Sequence, residues 1–397
     1  MTSHNIVKEE EIRQFAVRLV GLSEGSSTGL SRYARSLYQE LTLQEVTVGV
    51  TDFKTPSIPP FVGKLGFDSA KFFSTFPVAL PDAVGNTVTH LTTQNHASAV
   101  AFKKVKRLVV TVHDLITLCY NHYPEFTTHL KYYDKFFNRL AAYGLKKARM
   151  LIAVSEYTRQ DIIRLLSYPS DRIKVVYEGV DRQNFRVKEV PTNFYQRYNL
   201  REDIPYLLNV GSEDPRKNIR RLLAAFAKVS AEFPTVRLLK VGAAEFRHER
   251  QYLLDEAKLL GISDKVVFFD RVSDTDLAYF YNIATAFIFP SLYEGFGLPA
   301  LEAMSCGTPV ICSNAASLPE VVGDAALLFS PTDTLEMATL IKRVLSEPDL
   351  QKHLRRLSIE QAALFNWEKT AIETAKIYRQ VVELEKEASM KRKPSVC

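Results

Sequence analysis

The sequence has little cysteine, no long apolar run and no paired metal-ligand motif. Its four cysteines, at positions 119, 306, 312 and 397, lack the close pairing of a zinc site or a disulfide framework. We therefore expect a reducing compartment and no structural metal. No apolar run approaches the roughly 18 residues of a membrane-spanning helix, and the polar N-terminus lacks the apolar core of a secretory signal. These absences predict a cytoplasmic protein.

The composition is that of a soluble globular protein, but its charge is uneven. Hydrophobic residues make up 46% and charged residues 24% of a 397-residue chain, which is long enough for two domains. Of the 51 Lys and Arg and 45 Asp and Glu, residues 1–190 hold 25 and 18, which leaves 26 and 27 for the rest. The basic first half predicts an anionic partner, either an acidic acceptor or the inner face of a membrane that the protein touches peripherally. No recognisable nucleic-acid motif accompanies this charge, so no nucleic-acid partner is expected.

The stretch from Tyr293 to Glu302 joins a predicted strand to a predicted helix through a glycine loop. An apolar strand at 286–290 precedes it, and Pro299 suits the first helical position because its missing N–H is unpaired there anyway. Gly295 and Gly297 let the backbone approach a ligand closely, and the start of the helix attracts negative charge. This geometry predicts a site for a diphosphate or a sugar.

Glu294 and Glu302 stand near the two ends of this loop. Carboxylates accept hydrogen bonds from sugar and ribose hydroxyls. The alternative is that Glu302 only complements the helix dipole in the first turn and that Glu294 is a solvated loop residue. The segment that starts at Glu294 resembles the signature of family 4 of the retaining glycosyltransferases. Its sequence is Glu-Gly-Phe-Gly-Leu-Pro-Ala-Leu-Glu-Ala-Met-Ser-Cys-Gly-Thr-Pro-Val.

The resemblance extends over most of the chain and implies the fold. It is strong over residues 206–218 and 266–323, and looser over 15–33, 108–114 and 150–162. It implies an α/β protein of the GT-B class, with two doubly wound Rossmann-like domains that face a central cleft. We predict an acceptor-binding domain at 1–190, a nucleotide-sugar-binding domain at 191–370, a helix at 371–385 that crosses back to the first domain, and a disordered tail at 386–397.

The second domain opens with a predicted strand at 206–211 and a loop that contains Arg216 and Lys217. Two adjacent cations at a helix start suit a diphosphate, and Asn218 is a plausible N-cap for the helix. In the resembled family the lysine that matches Lys217 binds the donor phosphates. Ser212 stands where that family often has an arginine, and Arg216 is the candidate replacement. The resemblance implies a donor-binding set of Gly29, Arg216, Lys217, Val272, Glu294, Gly295, Phe296, Gly297, Leu298 and Glu302.

The first domain opens with a predicted strand at 15–21 and a loop that ends at Gly29. The loop lacks the Gly-x-Gly-x-x-Gly spacing, which disfavours a dinucleotide site. We predict instead that Gly29 lies close to a sugar or a phosphate, with a plain tight connection as the alternative. The acceptor-side candidates are Thr28, Gln94, His96 and Asp114, although His96 also reads as an ordinary loop histidine.

His113 follows a buried apolar strand at 108–112, and ligands of open α/β sheets bind beyond the carboxyl ends of strands. In the resembled family the matching histidine lies close to the transferred sugar. We predict that His113 holds and positions a sugar hydroxyl, and the alternative is a histidine that caps the next segment. His113, Lys217 and Glu294 form the predicted catalytic set.

The resemblance implies transfer of a hexose from a nucleotide-diphosphate sugar to an acceptor hydroxyl with retention of configuration. The donor would be GDP-mannose or a UDP-hexose, and the Pro-Arg-Lys-Asn wording at 215–218 favours GDP-mannose. The acceptor would be a sugar, a lipid-linked or a small molecule, in glycan, glycolipid or small-glycoside synthesis. No cofactor is expected. The alternatives are a non-catalytic nucleotide-sugar binder, a glycoside hydrolase and a nucleotide-sugar epimerase.

Two further patterns have competing interpretations. Asp274 and Asp276 form an Asp-x-Asp pattern that binds metal in another transferase fold, but Ser273 with Asp276 fits a helix capping box, so no metal is predicted. The stretch 131–149 is basic and aromatic at helical spacing. It suits an anionic membrane surface, but we favour a packed helix with core aromatics and a solvated basic face.

Overall fold

A computed structural model describes residues 15–21, 29–51, 85–119, 132–244 and 249–390 of the chain. These residues form two compact units. Unit 1 contains the described residues up to Gly179 together with those from Trp367 onward, and unit 2 contains those between Val180 and Asn366. Thr28 and the proline-rich region at 52–84 lie outside the described residues.

Unit 1 is built on a six-stranded parallel sheet in the order β2-β1-β3-β4-β5-β6. The central strands are apolar and buried throughout, as strands with helices on both faces must be. The elements of unit 1 before residue 180 are β1 (Ala16–Val20), α1 (Gly29–Leu43), β2 (Thr47–Thr51), β3 (Val88–Leu91), a 3-10 helix (Gln94–Val100), β4 (Leu108–Val112), α2 (Ile116–Cys119), α3 (Tyr132–Leu145), β5 (Met150–Ala153), α4 (Glu156–Leu166) and β6 (Ile173–Val175).

Unit 2 has a second six-stranded parallel sheet in the order β12-β11-β10-β7-β8-β9, which is the strand order of a dinucleotide-binding fold. Its main elements are α5 (Thr192–Tyr198), β7 (Tyr206–Val210), α6 (Ile219–Glu232), β8 (Arg237–Val241), α7 (Glu249–Leu259), β9 (Val266–Phe269), α8 (Asp274–Ile283), β10 (Ala284–Phe289), α9 (Leu298–Ser305), β11 (Val310–Ser313), α10 (Leu318–Val322), β12 (Ala326–Phe329), α11 (Thr334–Ser346) and α12 (Pro348–Ala362).

The last helix, α13 (Trp367–Met390), belongs to unit 1. Its buried face packs with α1 into one core of that unit, where Trp367, Tyr378 and Val381 are buried beside Tyr33. The helix therefore starts before the predicted residue 371 and continues past 385, so the first residues of the tail that we predicted to be disordered are helical. Residues 391–397 lie outside the described part.

The predicted strands agree with the structure to within about two residues. Two edge strands were not predicted, and one predicted helix cap is not formed. The edge strands β2 and β12 went unpredicted because each is short and only partly buried. Asn218 has a left-handed backbone (φ 59°) and caps no N–H with its side chain. No helix among the described residues is long and apolar enough to cross a bilayer.

Candidate active site

The candidate donor site lies at the carboxyl ends of β7 and β10, which are neighbours in the sheet of unit 2. The chain leaves these two strands toward opposite edges of the sheet, which creates the crevice where such folds bind ligands. Arg216 and Lys217 lie in a one-turn 3-10 helix after β7, and the Asp214 carboxylate caps it by accepting from Arg216 N at 3.0 Å. Leu292 N, in the loop after β10, donates to Arg216 O at 2.8 Å.

Asn218 fastens the loop rather than capping a helix. Its side-chain amide donates to Pro290 O at 2.9 Å and to Pro331 O at 2.7 Å. The predicted cap does not form, because the side-chain amide is bound to these two main-chain carbonyls and the side chain accepts from no N–H at the start of α6. The two site loops are therefore joined by both backbone and side-chain hydrogen bonds.

Lys217, Arg216 and Glu294 form one buried ionic cluster. Lys217 Nζ lies 2.6 Å from Glu294 Oε1, and an Arg216 guanidinium nitrogen lies 3.2 Å from Glu294 Oε2. Burial and the neighbouring Arg216 lower the pKa of Lys217 against the attraction of Glu294. Burial acts to raise the pKa of Glu294, but Lys217 and Arg216 outweigh it and hold that pKa below its ordinary value. The cluster is therefore a carboxylate held between two cations.

The glycine loop is held in one shape by its neighbours. Ser317 Oγ donates to Glu294 O at 3.0 Å and to Phe296 O at 2.8 Å. Gly297 has φ 121°, and a Cβ there would lie 2.8 Å from a Leu318 methyl group. Only glycine adopts this backbone without strain. The loop then passes directly into α9, and Leu298 is its first residue.

Glu302 lies deeper in α9 than the sequence suggested. It is the fifth helical residue, and the first turn holds no acidic side chain. The interpretation of Glu302 as a complement to the helix dipole is therefore wrong, because the dipole acts within the first turn. Its carboxylate is buried and accepts a hydrogen bond from the Tyr281 hydroxyl at 3.0 Å.

Val272 is half-buried in the loop between β9 and α8, at the same edge of the sheet. Ser273 caps α8 by accepting from Asp276 N at 3.1 Å, as the capping box predicts. The Asp276 carboxylate instead accepts two hydrogen bonds from Arg197 at 3.0 Å and one from Tyr198 at 2.9 Å. Among the described residues, no group of three or more His, Cys, Asp or Glu could hold a metal ion.

Two buried charges beside the site were not predicted from the sequence. Lys240, 1% exposed, donates to Gly211 O at 2.6 Å and so supports the loop that leads to Lys217. Burial lowers its pKa to about 7. Glu213 pairs with Arg250 at 2.5 Å. Lys240 stands in an otherwise apolar strand, and the sequence does not show that its amine binds main-chain carbonyls.

In unit 1, His113 forms a buried pair with Glu178. Its Nδ1–H donates to Glu178 Oε1 at 2.7 Å, and its Nε2–H donates to Thr92 O at 2.9 Å. Burial alone would lower the pKa of His113, but Glu178, the Thr92 carbonyl and Asp114 raise it above its ordinary value. Because the Glu178 carboxyl group and the Thr92 carbonyl lie within hydrogen-bond distance of the two ring nitrogens, the arrangement suits a doubly protonated His113 ring. No role was predicted for Glu178, since it stands in what reads as an ordinary turn after β6.

The other candidates of unit 1 lie after β1, β3 and β4. Gln94 accepts from His113 N at 3.0 Å through its side-chain oxygen. Asp114, rather than His113, caps the next segment, because its carboxylate accepts from Ile116 N at 3.2 Å. Burial lowers the pKa of His96 to about 4, so this histidine is neutral at physiological pH. Gly29 is exposed at the start of α1.

The edge of the unit 1 sheet therefore groups Gln94, His113, Asp114 and Glu178. The edge of unit 2 groups Arg216, Lys217 and Glu294, with Glu302 anchored by its own partner in the following helix. The binding roles assigned to these residues stay predictions.

Comparisons with known proteins agree with this architecture. Residues 192–361 match the family described as glycosyl transferases group 1, and residues 27–184 match glycosyltransferase family 4. The O-antigen chain mannosyltransferase B of Escherichia coli is 34% identical over 281 residues, which cover 70% of this chain and 71% of that protein.

Solved structures share the fold at lower identity. The sucrose-phosphate synthase of Thermosynechococcus elongatus is 24% identical with a TM-score of 0.73, and the match covers 94% of this chain and 100% of that one. Anabaena HepE, solved in complex with UDP and glucose, is 19% identical with a TM-score of 0.67, over 91% and 98% of the two chains.

Proposed function

Because this chain is a group 1 glycosyltransferase of family 4 with the GT-B fold, we propose that it moves a hexose from a nucleotide-diphosphate sugar to an acceptor hydroxyl with retention of configuration. The observation that carries the proposal is the cluster of Arg216, Lys217 and Glu294 at the crevice of the unit 2 sheet. The two cations suit a diphosphate and the carboxylate suits sugar hydroxyls.

In the proposed reaction the bond between the sugar C1 and the diphosphate oxygen breaks, and a bond from C1 to the acceptor oxygen forms on the same face. The acceptor proton passes to the leaving phosphate, so no cofactor and no metal is required. Lys217, Arg216 and the start of α9 stabilise the negative charge that grows on the diphosphate. Because hydrogen bonds already hold these groups in place, little reorganisation accompanies the reaction.

Glu294 would accept hydrogen bonds from the donor sugar, and Glu302, oriented by Tyr281, from the ribose. The backbone near Val272 would contact the base. In unit 1, His113 would keep Nδ1–H on Glu178 and exchange the Thr92 carbonyl for a sugar hydroxyl at Nε2. His113 then acts as a positioning cation and not as a general base, because an imidazolium has no lone pair to take a proton.

We propose GDP-mannose as the donor. The E. coli relative, at 34% identity, is described as a mannosyltransferase, and the Pro-Arg-Lys-Asn loop at 215–218 favours the same donor. A UDP-hexose is the second choice, since the neighbour solved with UDP and glucose is only 19% identical. A thermal-shift panel of GDP, UDP and ADP separates these donors, and the largest rise in melting temperature should come from GDP.

The activity is tested by incubating the protein with GDP-mannose and UDP-glucose and following the anomeric signals by NMR. Slow donor hydrolysis that first releases the retained anomer is the expected result without an acceptor. Binding without turnover would support a sugar-nucleotide binder. Sugar release from glycosides without nucleotide would indicate a hydrolase, and a changed sugar stereochemistry an epimerase.

Lys217→Ala tests the assigned role of the cluster. Loss of one charge-stabilising contact lowers turnover by about 10²–10³, while Arg216 still neutralises Glu294 and keeps the fold intact. Lys228→Ala, which removes an exposed lysine from α6, is the matched control. Near-normal turnover of a folded Lys217→Ala protein would refute the role.

A further inference from the structure

A basic groove with aromatic side chains crosses the surface of unit 1 at the edge where β4, β5 and β6 begin. It has a volume of about 690 Å³. Its walls come from the segment 101–106, the last turn of α3 with the residues that follow it, Arg172, and the end of α13. The candidates of unit 1 lie at the opposite edge, where the strands end. The groove is therefore separate from His113 and Glu178.

The groove is strongly positive. Seven cations line it and one carboxylate, Glu385, partly offsets them. That carboxylate lies 3.9 Å from Arg149. Among the described residues, no ion pair engages Lys104, Lys106, Lys146 or Lys147, and all four are exposed. So large an excess of one sign in one concavity attracts an anionic partner with several charges.

Exposed aromatic rings accompany these cations. Phe102 is 77% and Tyr143 47% exposed, with their ring centroids 6.4 Å apart, and Lys147 Nζ lies 4.6 Å from the Tyr143 ring centre. Two turns earlier on α3, Phe136 is 60% exposed. The favoured prediction of a helix with core aromatics is therefore wrong for both described α3 rings, Phe136 and Tyr143.

Helical spacing puts these rings and cations on one stripe of α3. Phe136, Arg139 and Tyr143 follow along α3 at intervals of three and four residues, which align along one helix face, and Lys147, just past the end of the helix, lies over the Tyr143 ring. A purely soluble anion would need only the cations. Exposed aromatic rings beside lysines are typical of a protein surface that inserts aromatic side chains at the headgroup level of a bilayer.

We propose that unit 1 docks on an anionic phospholipid surface through this groove and the outer stripe of α3. The lysines contact the phosphate headgroups, and Phe102, Tyr143 and Phe136 enter the interfacial layer. Docking through the amino-end edge of the sheet leaves the opposite edge, with His113, open to an acceptor. The proposal does not depend on the proposed function, because it concerns a different edge of the unit.

The test is co-sedimentation of the full chain with sucrose-loaded vesicles of phosphatidylglycerol and phosphatidylcholine, against pure phosphatidylcholine. The wild type should sediment only with the anionic vesicles. Lys146→Gln with Lys147→Gln should weaken binding at least tenfold, since each basic residue near such a surface contributes about fivefold. The control of equal charge, Lys352→Gln with Arg356→Gln on the exposed face of α12, should bind as the wild type does.

Phe102→Ser with Tyr143→Ser separates membrane docking from plain charge attraction. This variant keeps every cation and should still lose binding, at low and at high salt. Equal loss in the α12 control, or unchanged binding in both groove variants, would overturn the proposal. Binding of inorganic tripolyphosphate or RNA without vesicle binding would overturn it too and would identify a soluble polyanion as the ligand. Melting temperature and donor hydrolysis should match the wild type, which keeps this outcome separate from that of the proposed function.

Discussion

Glu294 is stable in a buried position because two cations share its charge. An isolated buried carboxylate would protonate, whereas here Lys217 and Arg216 each reach a different oxygen. The arrangement also keeps the cations in place before any donor arrives, since neither side chain has to be ordered on binding. A diphosphate would then join a site whose geometry already exists.

Glu294→Gln is expected to separate stability, nucleotide binding and turnover. Removal of the carboxylate leaves the buried Lys217 amine without its ion-pair partner, while Arg216 keeps Asp214, and the loss costs about 3–5 kcal/mol in the free energy of unfolding. Affinity for GDP should stay equal or rise, because the cations no longer share their charge with a carboxylate. Turnover should fall, since the sugar loses an acceptor. Urea unfolding, calorimetric titration with GDP and the hydrolysis assay measure the three effects.

Glu347→Gln, at a surface carboxylate whose side chain is 45% exposed and pairs with Arg343, is the control for Glu294→Gln. A drop in GDP affinity with Glu294→Gln, at unchanged fold, would contradict the proposal that the cations face the diphosphate.

His113 should make stability depend on pH above its ordinary pKa. Its folded pKa is raised, so the stabilisation is complete below about 6.5 and is lost as pH rises through the folded value. Glu178→Gln removes the main cause, and burial then lowers the pKa of His113. Urea unfolding from about pH 6 to pH 9 should show a fall in the wild type that the variant lacks. His353→Asn, which replaces an exposed histidine, should keep the wild-type slope.

At the scale of elements, Gly144 lets α3 lie directly against the 3-10 helix that carries Gln94 and His96. A Cβ on Gly144 would lie 1.8 Å from Ala97 O, which is far shorter than any contact between a carbon and an oxygen that are not bonded. Gly144→Ala should therefore lower the free energy of unfolding by about 1–3 kcal/mol or more through overpacking. It should also impair any function of His113, because Gln94 contacts the His113 main chain.

Gly49→Ala is the matched control for Gly144→Ala, since its new Cβ would meet nothing nearer than 3.9 Å and its φ is not positive. Thermal melts of the two variants measure the difference. Equal melting temperatures would show that α3 shifts away without cost.

The same scale explains what the sequence could predict. Buried parallel strands are continuous apolar runs, so β4, β5 and β10 could be predicted from the sequence. His113 and Glu294 were then chosen among the polar residues that follow β4 and β10. The resemblance assigned Lys217 and Glu294 separately to the donor, and their ion pair, which joins residues 77 positions apart, was not predicted. The roles of Glu178 and Lys240 were not predicted, because their partners are a distant histidine and a main-chain carbonyl. No local sequence pattern encodes such contacts. Asn218 was misassigned because a left-handed backbone has no signature that distinguishes it from a cap.

At the scale of the whole molecule, the two units differ in how the chain builds them. The main core of unit 2 draws only on residues between Leu207 and Leu354. One core of unit 1 requires α13, whose residues return after the whole of unit 2. The Tyr378 hydroxyl lies 2.6 Å from His90 Nδ1, and His90 Nε2 lies 2.8 Å from the Thr111 hydroxyl. The late helix therefore completes both the apolar core and a buried polar chain.

This difference predicts that unit 2 folds alone and that unit 1 without α13 does not. A fragment of residues 180–366 keeps its core and the Lys217–Glu294 cluster, so it should melt cooperatively and be stabilised by GDP. A fragment of residues 1–179 exposes the surface that Trp367, Tyr378 and Val381 cover, and should give no cooperative transition by circular dichroism. Adding residues 367–390 to it as a separate peptide should restore one. A cooperative melt of residues 1–179 without that peptide would show that α13 covers a core that is already complete.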